Sequence, residues 1–233
     1  MTTAPPFVQP VATQDEGTRS DFIVKVYQHL ILAVVAFVAI ETALITFGVA
    51  EAAYDLVSGS GAAWLLVLGG FMVVNWLATS AAHDVLNPSK QYAGLFGLAA
   101  AEALIFAPFL HLVFNVRDDG TSVWAAAVIT AAGFVGLSVV AFTTRKDLSF
   151  LRPMLLWGGV SALVLIGAAV LFGFALGVWF SVAMIALAGA SILYQTQVIM
   201  RQYPSDAYVG ASVQLFASVM LLFWYVLRLV SDR

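Results

Sequence analysis

Two acidic side chains, Glu41 and Glu102, stand inside long apolar stretches of this 233-residue chain. An ionisable group at membrane depth is costly, and it usually takes up a proton or binds a cation. At 1.5 Å of helix rise per residue, Glu41 lies about 25 Å into its stretch and Glu102 about 14 Å, so different depths are expected. The alternative is that each stays protonated and hydrogen-bonded to a neighbour.

Four uncharged polar side chains are spaced to form a second candidate site. Gln195 follows Ser191 by four residues, and Ser218 follows Gln214 by four. Residues four apart share one face of a helix, so a polar seam is predicted between the last two helices. The seam is either the remnant of a permeation path or an interhelical clasp, in which each hydrogen bond contributes about 0.6–2 kcal/mol.

The sequence lacks the residue patterns of a zinc site, a retinal Schiff base and a serine hydrolase. His29, His83 and His111 lack the close spacing of a zinc motif, and the chain has no cysteine. The last apolar stretch has no lysine for a retinal Schiff base, and no serine element of the hydrolase type is apparent. The sequence therefore predicts a protein that is not an enzyme and that holds no cofactor or resident metal.

Seven apolar stretches must position these side chains. Hydrophobic residues make up 62% of the chain and charged residues 10%, which is far from the composition of a soluble domain. Each stretch is long enough to cross a bilayer as a helix, and none alternates as a barrel strand does. We predict an all-α polytopic membrane protein, with a polar arm at 1–20 and a seven-helix domain at 21–233. The predicted spans are 24–49, 62–82, 93–114, 122–143, 154–173, 176–200 and 207–229.

The charges set the expected partners and orientation. The net charge of −3 argues against binding to nucleic acid and leaves the lipid bilayer as the main surrounding. Lysine and arginine are more frequent in the loops on the side of the N-terminus, which predicts a cytoplasmic N-terminus and an outer C-terminus. The inner set is Arg19, Lys25, Lys90, Arg145, Lys146, Arg152 and Arg201, and the outer set is Arg117, Arg228 and Arg233.

The small residues of the sixth predicted span indicate close helix packing there. Ala183, Ala186, Gly189 and Ala190 fall within that span, and small side chains let two membrane helices approach closely.

The proline-rich arm is a separate feature. If it is ordered, it is expected to dock on something.

Several segments resemble a known family. SILYQTQVIM at 191–200 and RQYPSDAYVGASVQLFASVMLLFWYVLRLV at 201–230 resemble the last two helices of the Bax inhibitor-1 family, in its YccA-like bacterial branch. TTRKDLSFLRPML at 143–155 resembles the loop before the family's fifth helix, and DFIVKVYQHL at 21–30 the start of its first. The resemblance implies a bundle in which six helices surround the C-terminal one.

The resemblance also implies a function. Members of this family are described as pH-sensitive calcium leaks that suppress cell death in eukaryotes, and some bacterial members act on membrane proteases. The leak depends on two aspartates that share a proton, one in each of the last two helices. Here those positions are Gln195 and Ser218. The arginine latch that some members have at the inner end of the second helix is also missing, and His83 is the nearest candidate.

The candidate residues and the family resemblance leave two possible functions. The favoured one is an interaction protein of the bacterial inner membrane, either a regulator or an accessory subunit of a membrane complex or protease. The alternative is a channel-like calcium leak or transporter with altered gating. A water-accessible cavity that reaches Glu102 or Gln195 would favour the alternative.

Overall fold

Apolar helices make up nearly all of the chain. The computed structural model describes residues 9–59, 61–144 and 146–232. Within those ranges it contains eight α-helices and no strand longer than an isolated bridge. Residues 1–8 of the predicted arm, and Arg145 and Arg233 of the predicted topology, lie outside the described residues. The helices are α1 (Glu16–Thr46), α2 (Val49–Ser58), α3 (Gly61–Ala82), α4 (Pro88–His111), α5 (Gly120–Thr143), α6 (Leu151–Phe172), α7 (Val178–Gln202) and α8 (Tyr208–Ser231).

Seven of these helices are long and apolar enough to cross a membrane, which confirms the seven predicted spans. The first span differs most from its predicted bounds, because α1 begins at Glu16 and ends at Thr46. Asp15 sets the start by accepting a hydrogen bond from the Thr18 backbone N–H at 3.0 Å. Gly48 sets the end, since its φ of +75° is a left-handed conformation that glycine adopts without strain.

Helix α2 was missed by the sequence analysis. It has 10 residues, which is too short to span a bilayer, and it packs against α4 with Ala50 fully buried. The stretch VAEAAYDLVS carries two acidic residues and follows a helix-breaking glycine. The stretch is shorter than a spanning helix and was left between two predicted spans, but its alanine and leucine residues favour a helix once a neighbouring helix supports it.

Helix α8 lies at the centre of the bundle. It contacts α1, α3, α4, α5 and α7. Helix α6 reaches it through a small cluster in which Ala162 packs with Tyr225 and Met184. The side chains of Leu215, Phe216 and Leu227 on α8 are fully buried, so the C-terminal helix is surrounded by the others as expected.

The tightest backbone contact at a glycine among the described residues lies between α3 and α4, and Gly189 in the predicted stretch of α7 is less tightly packed. A Cβ atom added to Gly94 would clash with the Ala78 carbonyl oxygen and lie 2.7 Å from the Ala82 backbone nitrogen. On α7, a Cβ atom added to Gly189 would lie 3.4 Å from Leu137, which is near an ordinary van der Waals contact. Gly94 therefore permits an approach that no larger residue would allow.

Candidate functional site

Three side chains of the predicted seam form a closed ring between α7 and α8. The Ser218 hydroxyl donates to Gln195 Oε1 at 3.0 Å, and Gln195 Nε2 donates to Ser191 Oγ at 3.0 Å. Because Ser218 has used its proton, the Ser191 hydroxyl donates to Ser218 Oγ, also at 3.0 Å. Each side chain donates once and accepts once, which satisfies the three groups together.

The ring can fasten two helices, but its groups do not change their protonation state near neutral pH. Hydroxyl and amide groups do not titrate in that range, whereas two carboxyl groups in contact would share a proton. The described contacts therefore fit the clasp better than a permeation path. Sequence spacing placed Ser191, Gln195 and Ser218 on facing helix surfaces, and the structure joins them.

Gln214 does not join the ring. It lies one turn closer to the start of α8, where its Nε2 atom is 3.4 Å from Nε2 of His83. His83 comes directly after α3. This end of the bundle, where α3 and α7 finish and α4 and α8 begin, is called the inner end below, and the opposite end is called the outer end.

His83 connects three elements at the inner end. Its Nδ1 atom lies 2.7 Å from the Thr79 carbonyl oxygen, which can only accept, so Nδ1 carries a hydrogen. In the neutral ring, Nε2 then accepts from the Tyr203 hydroxyl at 3.0 Å. Burial raises the pKa of Tyr203 to about 12, so its phenol keeps the proton that it donates.

His29 makes the same pair of contacts nearby. Its Nδ1 atom lies 2.7 Å from the Lys25 carbonyl oxygen, and its Nε2 atom 2.9 Å from the Tyr92 hydroxyl. Its ring also packs on Tyr208, at 4.9 Å between centroids. The sequence excluded a zinc motif for the histidines and offered His83 only as the nearest candidate for the arginine latch, so these histidine–tyrosine pairs were not predicted. Each histidine bonds the carbonyl four residues before it, but no sequence signal identifies its tyrosine.

The described part of the arm covers the inner end. The Val11 backbone N–H donates to the Tyr203 carbonyl oxygen at 2.8 Å, and Pro10 pairs with Pro204 as an isolated bridge. The Val11 side chain is only 2% exposed. The arm is thus docked on its own chain, so its order is no sign of a separate partner.

A cavity of about 840 Å³ opens on the other side of the clasp. It lies between α3, α4, α6, α7 and α8, and its lining includes Glu102, Asn75 and Ser218. Ser218 stands ten residues before Arg228 on α8, about 15 Å along the helix. The cavity therefore extends from the outer end to near mid-bundle. The inner-end residues His83, Tyr203 and Gln214 are not part of its lining.

Glu102 is 5% exposed, and no hydrogen bond or ion pair to its carboxyl group is found among the described residues. The Asn75 side-chain oxygen, on the same cavity, is fully buried and has no hydrogen-bond partner among the described residues. A buried carboxyl group without a partner is destabilising unless it is protonated or neutralised by a bound ligand. Glu102 and Asn75 are thus the polar groups left for chemistry inside the cavity.

Two arginines and one aspartate line the outer mouth of this cavity. Arg117 Nη1 donates to the Ser231 carbonyl oxygen at 2.9 Å, and Arg228 Nη2 to the Leu176 carbonyl oxygen at 2.8 Å. Asp232 lies 3.7 Å from Arg117 and 4.0 Å from Arg228. The mouth therefore carries a net positive charge.

Glu41 is not part of this cavity. It is 5% exposed, and neither of its carboxylate oxygens has a hydrogen-bond partner in the described part of the chain. The structure therefore does not bring the two intramembrane acids to one site. Across residues 9–59, 61–144 and 146–232, no cluster of three histidine, aspartate or glutamate side chains is suited to a metal ion.

Several known proteins are similar in sequence to this chain. A family model described as “Inhibitor of apoptosis-promoting Bax1” matches residues 19–233. An uncharacterised protein of Pseudomonas aeruginosa is 30% identical over 138 residues, which span 58% of this chain and 60% of that protein. An uncharacterised protein of Neisseria meningitidis is 24% identical over 78% of this chain and 79% of that protein. Protein LIFEGUARD 4 of Arabidopsis thaliana is 24% identical over 94% of this chain and 88% of that protein.

Proposed function

This chain belongs to the Bax inhibitor-1 family, and we propose that it is a regulatory member that acts by binding another membrane protein. The closed ring of Ser191, Gln195 and Ser218 carries this proposal. The resemblance places the proton-sharing aspartates of the leak at Gln195 and Ser218. With neutral side chains there, a pH-gated leak lacks its titrating pair.

The geometry of the inner end supports the same proposal. His83 is hydrogen-bonded to both Tyr203 and Gln214, and the Val11 backbone N–H is bonded to the turn that joins α7 to α8. Residues of this cluster do not line the cavity, so the cavity ends near Ser218 and Glu102. A conducting path would have to cross both the ring and this cluster.

The resemblance suggests the class of partner. Some bacterial members of the family act on membrane proteases, and we infer a protease or another inner-membrane complex as the partner here. The inferred orientation has the inner end in the cytoplasm. The protein is then an accessory subunit and not an enzyme.

Purification of the full chain in mild detergent tests this proposal. We expect a membrane protein to co-purify at a fixed ratio, and we expect proteoliposomes of the pure chain to pass no more calcium than empty vesicles. The Ser218→Ala variant changes a buried residue and leaves the protein surface the same, so it is the matched control for partner binding. A lone monodisperse monomer, or calcium flux above that of empty vesicles, contradicts the proposal.

One observation favours the alternative function, a calcium leak or transporter with altered gating. The cavity reaches Glu102, whose carboxyl group is buried and unbonded among the described residues. An acidic group in such a position marks cation pathways in other membrane proteins. Flux that is present in the unmodified chain and lost in Glu102→Gln would establish this function, with Glu41→Gln as the matched control.

A further inference from the structure

The cavity between α6 and α8 has the properties of a binding site for an amphiphile. Its volume, about 840 Å³, falls within the roughly 300–1,000 Å³ typical of small-molecule sites. Most of its lining is aliphatic or aromatic, and the ring faces come from Trp64, Phe71, Phe106, Phe109 and Trp224. A bound hydrocarbon chain gains dispersion contacts along an apolar lining of this kind.

The wall formed by α6 is lined by small and aliphatic residues. Gly159, Ala162 and Ala169 face the cavity together with Leu163 and Ile166. A Cβ atom added to Gly159 would meet no other atom within 4 Å. Space of this kind beside a membrane helix suits an extended alkyl chain, which gains contacts along its whole length.

The mouth supplies an anion-binding group. Each guanidinium has five N–H donors, and the short bonds to Ser231 and Leu176 use one donor each. Asp232 stands at 3.7 and 4.0 Å, so it leaves donors of Arg117 and Arg228 available. Asp118 and Asp119 follow Arg117 in the sequence but do not line the cavity, and Asp119 is bonded to Ser122.

We propose that this cavity binds a free long-chain fatty acid, with its carboxylate held by Arg117 and Arg228 and its chain extended toward Glu102 and Ser218. A guanidinium binds a carboxylate with two parallel hydrogen bonds, so either arginine can fix the head group at the mouth. The distance from Arg228 to Ser218, about 15 Å along α8, accommodates most of such a chain.

An occupied cavity would separate Glu102 from solvent at the outer end. Binding of the fatty acid would then change the outer surface formed by α3, α6 and the end of α8. A regulatory protein would transmit this change to the membrane protein that it binds. The binding itself does not depend on the proposed partner, because it is measured on the purified chain.

Binding of radiolabelled palmitate to the full chain in phosphatidylcholine nanodiscs tests this inference. We expect saturable binding of one palmitate per chain. Arg117→Gln and Arg228→Gln should each weaken it about tenfold or more, because each removes charge-assisted bonds to the carboxylate. Arg201→Gln makes the same charge change at the inner end and should leave the affinity unchanged.

Two further variants test the position of the alkyl chain. Gly159→Phe fills the cavity and should abolish binding, whereas Gly136→Phe places the same ring on α5, outside the cavity lining, and should retain it. Monodisperse elution in gel filtration verifies folding. If one arginine variant fails to fold, the other and Gly159→Phe decide the outcome.

Three results overturn the inference. The first is palmitate binding that does not saturate or that is equal in all variants. The second is equally tight binding of hexadecanol, which has the chain without the charge. The third is displacement of palmitate by phosphatidylglycerol at lower concentration, which would assign the mouth to a phospholipid head group.

Discussion

The Ser218 hydroxyl on α8 lies 3.0 Å from Gln195 Oε1 on α7, so the two positions that resemble the family's aspartate pair are in direct contact. The backbones of α7 and α8 thus bring the two positions together, and the side chains at both are neutral. Ser191 completes the ring and supplies the third hydrogen bond. The arrangement holds the helices together at any pH at which the fold is stable.

Ser218→Ala should lower stability, because it removes two of the three ring bonds. We expect a loss of about 1–2 kcal/mol, the range measured for hydrogen bonds between membrane helices. Thermal unfolding in detergent measures the loss. Thr42→Ala is the matched control, since the Thr42 hydroxyl bonds only the Val38 carbonyl of its own helix, at 2.7 Å. An equal effect of the two substitutions would show that the ring contributes no interhelical stability.

The double variant Gln195→Asp with Ser218→Asp should become pH-sensitive. Two carboxyl groups at this distance cannot both ionise cheaply, so they share one proton. Loss of that proton as the pH rises leaves adjacent negative charges, and stability should therefore fall with rising pH. Unfolding scans across the neutral range measure this. The two single variants are the controls, and a flat profile for the double variant would show that the carboxyl groups do not interact.

The seven spans and a polar seam between the last two helices could be predicted because each follows from a local sequence pattern. Apolar length identifies a spanning helix, and the four-residue spacing of Ser191 and Gln195 defines one helix face. The same spacing failed for Gln214, which bonds His83 instead of joining the ring. Spacing determines the helix face on which a side chain lies. Its hydrogen-bond partner depends on which residues of the neighbouring helices lie at the same depth in the bundle.

The cavity and the histidine–tyrosine pairs could not be predicted. The cavity exists because α6 packs on α3 and α7 and leaves space beside α8, and this separation has no local sequence pattern. His83 and Tyr203 are 120 residues apart in the chain. Contacts across such distances depend on the tertiary packing of all the intervening helices.

Alkaline pH should destabilise the protein through Tyr203. Burial raises the pKa of this phenol from 10.0 to about 12, so the unfolded chain loses its proton first as the pH rises. The stabilisation is fully present below pH 10 and is lost between pH 10 and 12. Denaturant unfolding at increasing pH should show a fall that is smaller in Tyr203→Phe. Tyr54→Phe, at the outer end, is the control and should retain the fall of the unmodified chain.

Val11→Asp should release the arm from the inner end. The Val11 side chain is 2% exposed, so a carboxylate there would have to be buried without a partner or expelled into solvent with the arm. Expulsion breaks the 2.8 Å bond from the Val11 N–H to the Tyr203 carbonyl oxygen. Trypsin should then cut more rapidly after Arg19, near the start of α1. Ala12→Asp introduces the same charge at an exposed neighbour and should leave the cleavage rate unchanged. Equal cleavage of the two variants would mean that burial of the Val11 side chain does not hold the arm on the inner end.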